Sequence, residues 1–417
     1  MRRVLEHCAA LDVHKKQLTA CARVLGPGGE LEELTVMFST MAGDLLGLRD
    51  WLKQLGVTHV AMEATGVYWK PVYYALEDDF ELLLVNAQHV KNVPGRKTDT
   101  TDAQWLCQLL ECGLLRASFV PPKPIRELRD LTRYRKSLIR ERASEANRLQ
   151  KTLEDAGIKL SSVASDVLGV SGRLMLEALV SGTRDPEVLA ELARGTLRKK
   201  LPALKQALAG QFKPHHTLIV AHILAHLDYL DEAIATLTAE VEQRLAPFAD
   251  KAELLTTITG VAERNSQVII AELGPDMSRF ATDRHAASWV SICPGNDESA
   301  GKRRSGRTRR GNPHLRAALV ESANAAARSK NTYLRAQYEQ VKRRRGHKKA
   351  IVAVAHSILI AAYHILKDDV PYQDLGGDYF TRRADPNRIA KRLVAQLERL
   401  GHTVTLETST AEVPAAA

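Results

Sequence analysis

Four acids are the residues of this chain best placed to do chemistry. They are Asp12 in Leu11-Asp12-Val13-His14-Lys15, Glu63 in Ala61-Met62-Glu63-Ala64-Thr65-Gly66, and Asp99 with Asp102 in Lys97-Thr98-Asp99-Thr100-Thr101-Asp102-Ala103. Magnesium prefers hard oxygen ligands, and phosphoryl transfer commonly uses two such ions about 3.5–4 Å apart to stabilise attacking and leaving oxygens. Converging carboxylates would hold magnesium, with manganese as the alternative ion. Taken singly, each acid also has a plainer role. Asp99 can cap a helix, Asp102 can favour its positive end, and Asp12 and Glu63 can be exposed acids at strand ends. The set is what points to metal-dependent chemistry on a phosphate.

Positioning these acids requires a sheet and a helix. Residues 9–13 and 17–25 read as strands closed by the turn-like Gly26-Pro27-Gly28-Gly29, and residues 34–38 as another strand, which implies an antiparallel opening. An amphipathic helix at 43–55, a strand at 59–63, a helix at 69–76 and an apolar strand at 82–85 follow. Residues 102–110 put Ala103, Leu106, Leu109 and Leu110 on one side of a helix that begins at Asp99 and Asp102. Strands followed by alternating helices predict a mixed α/β sheet of the ribonuclease H-like kind, in which acids distant in sequence converge.

The rest of the chain describes a partner. Its 417 residues are enough for two or three domains, and 45% hydrophobic content supports packed cores. A net charge of +10 and a pI near 9.3 favour an anionic partner, nucleic acid first. Cys8, Cys21, Cys107, Cys112 and Cys293 form no Cys-x-x-Cys pair, which suits reduced thiols in cytoplasm and argues against structural zinc. The apolar run from Ala350 to Leu366 is broken by His356, Ser357 and His364 and reads as a buried helix, so no membrane is expected. Arg2, Arg3, Glu6 and His7 interrupt the start too early for a signal peptide.

Pro121-Pro122-Lys123-Pro124 marks the end of the first domain. Beyond it, Ile125 to Leu153 reads as a charged helix, and Val220, Ile223, Leu227, Leu230, Ile234, Leu237 and Val241 recur at spacings of three and four. That seam fits either an internal antiparallel hairpin or a coiled coil with a second copy. Two apolar helical stretches flank Thr259-Gly260-Val261. They resemble a helix-hairpin-helix element whose Gly260 lets amides approach a phosphate, and an ordinary helix connection reads the same way. Lys302, Arg303, Arg304, Arg307, Arg309, Arg310 and Arg316 surround Gly306, Gly311 and Asn312 in a flexible basic loop leading into a helix. A second basic run spans Lys342 to Lys349, and Ser409 to Ala417 reads as a disordered tail.

In the same order along the chain, the segments around Asp12, Glu63 and Gly95–Ala103, followed by Pro294-Gly295-Asn296-Asp297-Glu298-Ser299-Ala300-Gly301 and Gly311-Asn312-Pro313-His314-Leu315-Arg316, closely resemble DEDD insertion-sequence transposases related to the Piv DNA invertase. Together they cover most of the chain from Leu11 to roughly Leu366. The resemblance implies a RuvC-like domain over residues 1–120 whose four acids bind magnesium. It implies a helical, coiled-coil-like region over 121–249, a helical transposase domain over 250–376 whose serine attacks DNA, and an extension over 377–417. Ser299 matches that serine, with Ser305 as the neighbouring hydroxyl. Ala10 and Ala300 stand where the family commonly has glycine. An element-encoded guide RNA, insertion-sequence and target DNA, a homo-oligomer of two or four copies sharing active sites, and a place at the nucleoid are implied as well. A hydrolytic junction-resolving nuclease using the acids alone, or a non-catalytic DNA-bridging protein, are the rival readings.

Overall fold

The computed structural model of the chain describes residues 3–26, 28–64, 66–87, 90, 101–294, 297–305, 308, 311–383 and 386–406, with backbone alone at 297–299, 303–305, 386, 388, 389 and 392. Two compact units are formed, Met1–Pro121 and Pro122–Ala417.

The first unit contains β1 (Cys8–Val13), β2 (Gln17–Leu25), β3 (Leu31–Ser39), α1 (Ala42–Gln54), β4 (His59–Glu63), α2 (Trp69–Leu76), β5 (Glu81–Val85) and α3 (Asp102–Glu111). Its five strands lie in the order β3-β2-β1-β4-β5. The first three are antiparallel neighbours, and β4 and β5 run parallel to β1, so the sheet is mixed as the pattern predicts.

Both faces of β1 are covered, which is why its sequence is almost wholly apolar. Ala9, Leu11 and Val13 join Leu18, Val60, Met62 and Leu84 in a core closed by Leu45, Leu48 and Leu52 of α1 and Val72 and Leu76 of α2. Cys8 and Ala10 face the other way, with Cys21, Ala61 and Val85, and meet Ala103, Trp105, Leu106, Cys107, Leu109 and Leu110 of α3. A period of two thus splits each strand between two cores. The five cysteines are free, and Cys8, Cys21 and Cys107 are buried. Burial and the neighbouring thiols push the Cys107 thiol far up, the bond with Cys21 being the largest cause.

Among the described residues, the second unit is helical apart from one hairpin. It comprises α4 (Lys123–Asp155), α5 (Leu160–Val163), α6 (Val170–Val180), α7 (Pro186–Glu191), α8 (Leu201–Leu208), α9 (Pro214–Leu245), α10 (Ala249–Thr256), α11 (Glu263–Leu273), α12 (Asp283–Val290), β6 (Asp297–Ser299), β7 (Lys302–Ser305), α13 (Pro313–Ala326), α14 (Tyr333–Arg345), α15 (His347–Asp368), α16 (Tyr379–Arg382) and α17 (Pro386–Arg399). Helices α4 and α9 pack along their length. The seam from Val220 to Val241 is therefore seated on the same chain, with Leu230 and Ile234 against Leu138 and with Val220, Ile223, Leu224 and Leu227 in one core with Leu149 and Leu153. Of the two readings of the heptads, the internal hairpin is the one found.

Helix α15 is long and apolar enough to cross a membrane by length and composition. Its Ile351, Val354, Ile358, Leu359 and Ile365 are buried, and it packs on α12, α13 and α14.

Candidate metal centre and nucleic-acid interface

Register places two of the four acids side by side. In the parallel pair of β1 and β4, Leu11 lies opposite Met62, so the next position on each strand is Asp12 and Glu63. Alternation puts Asp12 on the face of Ala10, and Glu63 on the face of Ala61 and, across β5, Val85. Both acids therefore stand at the carboxyl ends of adjacent parallel strands, on the face that α3 covers. Carboxyl ends of parallel strands are where α/β sheets commonly place their ligands.

Asp12 keeps 31% of its side chain exposed, and its oxygen lies 3.3 Å from Nε2 of His14, itself 64% exposed. Glu63 is half-buried. Asp102 is the first residue of α3, where Thr101 accepts from the backbone N–H of Gln104 and the Gln104 side chain accepts in return from the N–H of Thr101. This capping box fixes the start of the helix over the acid-bearing face. Asp99 lies outside the described residues.

Among the described residues, Asp12, Glu63 and Asp102 do not bring their oxygens within 4.8 Å of one another as a group; the cluster that meets that measure is Asp155, His215 and His216. Its geometry is that of a helix cap. Nδ1 of buried His216 accepts from the backbone N–H of Lys213, and Nε2 lies 2.9 Å from Oδ2 of Asp155. With Nδ1 accepting, Nε2 carries the proton and donates it to the carboxylate, and that hydrogen bond holds Asp155 below its ordinary pKa. The pair ties the end of α4 to the start of α9.

The segment expected to be a flexible loop is partly a β-hairpin. Asp297, Glu298 and Ser299 pair with Ser305, Arg303 and Lys302. Only Ala300 and Gly301 lie between Ser299 and Lys302, at φ +50° and +73°. Two positive φ values in a two-residue loop describe the turn that matches the twist of a hairpin, and alanine is strained at the first of them. The position noted as a departure from the family's glycine is the one where glycine would be relaxed. Ser299 stands immediately before the turn, and Lys302 after it is exposed. The side chains of Ser299, Arg303 and Arg304, and all of Arg307, Arg309 and Arg310, lie outside the described residues.

Gly260 and Asn312 have packing roles. A Cβ on Gly260, at φ +88°, would come within 2.4 Å of the Ser322 carbonyl oxygen and 2.6 Å of the Ala326 nitrogen, so glycine permits contact with α13. Asn312 is the N-cap of α13, its Oδ1 accepting from the N–H groups of His314 and Leu315. Its Nδ2 donates to Oε2 of Glu272 at 2.6 Å.

Sequence reading missed the cluster around Glu272. This carboxylate is fully buried and takes Nε of Arg133 at 2.7 Å, Nη2 of Arg133 at 2.8 Å and Nε of Arg129 at 3.2 Å. Burial alone would raise its pKa, but Arg133, Arg129 and Asn312 overcome that and hold it below the ordinary value. A signal was present in α4. Ile125, Leu128, Thr132, Arg135 and Leu138 are among its buried residues, at spacings of three and four, so an arginine occupies a largely apolar stripe.

Comparison with known proteins finds two family models along the chain. A DEDD transposase model of the IS110 group, described as a transposase, matches residues 9–158. A second model, described as transposase IS116/IS110/IS902 family, matches residues 252–339. A curated protein of Sinorhizobium fredii (strain NBRC 101917 / NGR234), named as a transposase (y4pF/y4sB), is 26% identical over 332 residues, covering 77% of this chain and 76% of that protein.

Proposed function

Because the chain belongs to the IS110 family of transposases, enzymes that cut and recombine DNA, we propose that it moves its own insertion sequence by metal-dependent strand cleavage and exchange. The observation that carries this reading is the adjacency of Asp12 and Glu63 at the carboxyl ends of β1 and β4. Hard carboxylate oxygens on a half-exposed rim suit magnesium or manganese rather than a soft metal. Asp12, Glu63, Asp99 and Asp102 would hold the ion. When bound, it would supply Lewis-acid stabilisation of charge on the phosphate.

Ser299 is the proposed nucleophile. Its oxygen attacks phosphorus and gives up its proton to a general base; the bond from phosphorus to one sugar oxygen breaks, and that oxygen takes a proton from water and leaves as a hydroxyl. The phosphodiester energy stays in a protein–DNA ester, so a new strand end can displace the serine without a nucleoside triphosphate. Lys302, with Arg303 and Arg304, neutralises phosphate charge, and Arg307, Arg309, Arg310, Gly260 and Asn312 belong to the DNA-contacting surface. Beyond the first domain the chain divides into a helical, coiled-coil-like region 121–249, a transposase domain 250–376 and an extension 377–417. A guide RNA from the element selects the DNA, and two or four copies share active sites in the cytoplasm at the nucleoid.

In cells carrying the complete element, covalent attachment of the protein to element-end DNA tests the reading with the native chain, Ser299→Ala and Asp102→Ala. Loss of the adduct in both variants supports it. Cleavage with no adduct, unaffected by Ser299→Ala, would assign the chemistry to hydrolysis by the acids alone.

A further inference from the structure

We propose that a cavity in the helical unit, between α4, α11 and α13, receives one phosphate group of a nucleic-acid backbone. The choice of nucleic acid as the source rests on the transposase reading; the anion site itself does not. The cavity has a volume of about 90 Å³ and is lined by Arg133, Arg135, Lys136, Arg140, Arg264 and His314, with Glu272 and Glu321. One water molecule needs about 10–15 Å³ of such space, so the cavity has room for a group larger than a water.

Arg135, one of the lining residues, has an incomplete set of hydrogen bonds. Arg135 is 2% exposed. Nη2 donates to Oε1 of Gln267 at 2.6 Å, whereas Nη1 is buried with no hydrogen-bond partner among the described residues. A buried guanidinium donor without an acceptor is costly to a fold, and a phosphate oxygen supplies what is missing. Burial holds the Arg135 pKa below its usual value, and Arg264 adds to this; Glu242 and Glu263 oppose it.

The charges of the lining leave an excess of guanidinium. Glu272 is engaged by Arg129 and Arg133, and Glu321 by Lys136 at 2.7 Å. Arg140 and Arg264 are exposed at the rim and make no ion pair among the described residues. Three arginines therefore face a space in which both carboxylates are already matched. A phosphate is acceptor-only, and the planar guanidinium fork suits its oxygens. Rim arginines reaching beyond the cavity fit a strand that continues past the seated phosphate better than they fit one small anion.

Thermal melting of the full chain, at fixed ionic strength, tests this with inorganic phosphate and with a short DNA oligonucleotide carrying hydroxyls at both ends. Saturable stabilisation of the native chain by both probes is expected. Arg135→Met should abolish the response to phosphate and weaken oligonucleotide binding about tenfold, the consequence of one lost charge-assisted hydrogen bond. Arg140→Gln with Arg264→Gln, both exposed and safe for folding, should weaken the oligonucleotide more than phosphate. The proposal fails if a cooperatively melting Arg135→Met, or the double variant should Arg135→Met not fold, answers both probes as the native chain does. A response to phosphate without any to the hydroxyl-ended oligonucleotide would overturn the backbone assignment in favour of a free-anion site. Should the native chain bind no nucleic acid in any format, the transposase reading would fall with it.

Discussion

At the carboxyl ends of β1 and β4, Asp12 and Glu63 stand beside each other on a partly exposed rim, whereas Glu272 lies at zero exposure in the helical unit with two arginines and Asn312 closed about it. Identical chemistry is put to opposite use. A buried carboxylate must be matched by fixed cations, and once matched it attracts nothing further. An acid at a strand end keeps its hydration and its freedom to ligate a cation. The same contrast runs through the arginines: Arg133 is committed to Glu272, while Arg135, two residues on in α4, keeps Nη1 for a ligand.

The contrast can be broken most severely at the rim. Asp12→Asn and Glu63→Gln should each lower strand exchange by about 10⁴-fold, the scale seen when one member of a catalytic set is removed, with the melting temperature close to that of the native chain. A recombination assay beside a thermal melt checks both halves. Glu272→Ala should do the reverse, costing about 3–5 kcal/mol of stability by leaving Arg129 and Arg133 buried and unmatched. Denaturant unfolding of the full chain would read this. If Glu272→Ala left stability unchanged, the cluster would not be a structural keystone.

A milder effect comes from pH. Burial holds His314 and His356 below their ordinary values, Arg133 adding to the effect at His314. The folded chain therefore binds fewer protons there than the unfolded one, so stability falls as pH drops below about 6.5. Glu272, Asp155 and Asp276 have lowered values and lose their contribution only below the ordinary carboxylate range near about 4. Melting curves from pH 7.5 to 5.5 should thus fall, and the fall should shrink in a His314→Gln, His356→Gln variant. Smallest is Ala300→Gly, which relieves the left-handed alanine. A gain of about 0.5–1 kcal/mol should slow amide exchange of the hairpin severalfold.

Much of the first unit could be read from the residues. Short, nearly continuous apolar runs over 9–13, 59–63 and 82–85 mark strands, and the spacing of Leu106, Leu109 and Leu110 marks α3. The adjacency of Asp12 and Glu63 follows once β1 and β4 are taken as parallel. The heptad in α9 was legible as a seam, but its partner was not, because spacing carries no information on which chain supplies the other helix. The hairpin at Ala300 was hidden because alanine is a poor signal for a left-handed turn. The cavity escaped because Arg133 and Arg135 look like the solvated side of a charged helix until α11 and α13 pack against it.

Binding of Mn²⁺ to the full-length chain, followed by its electron paramagnetic resonance signal, tests the central claim most directly, since it needs neither DNA nor guide RNA. The account predicts saturable binding by the native chain that is lost or weakened about tenfold or more in both Asp12→Asn and Glu63→Gln, and that is untouched by His216→Gln at the α4–α9 cap. Binding unchanged in the two rim variants, or abolished by His216→Gln, would contradict it.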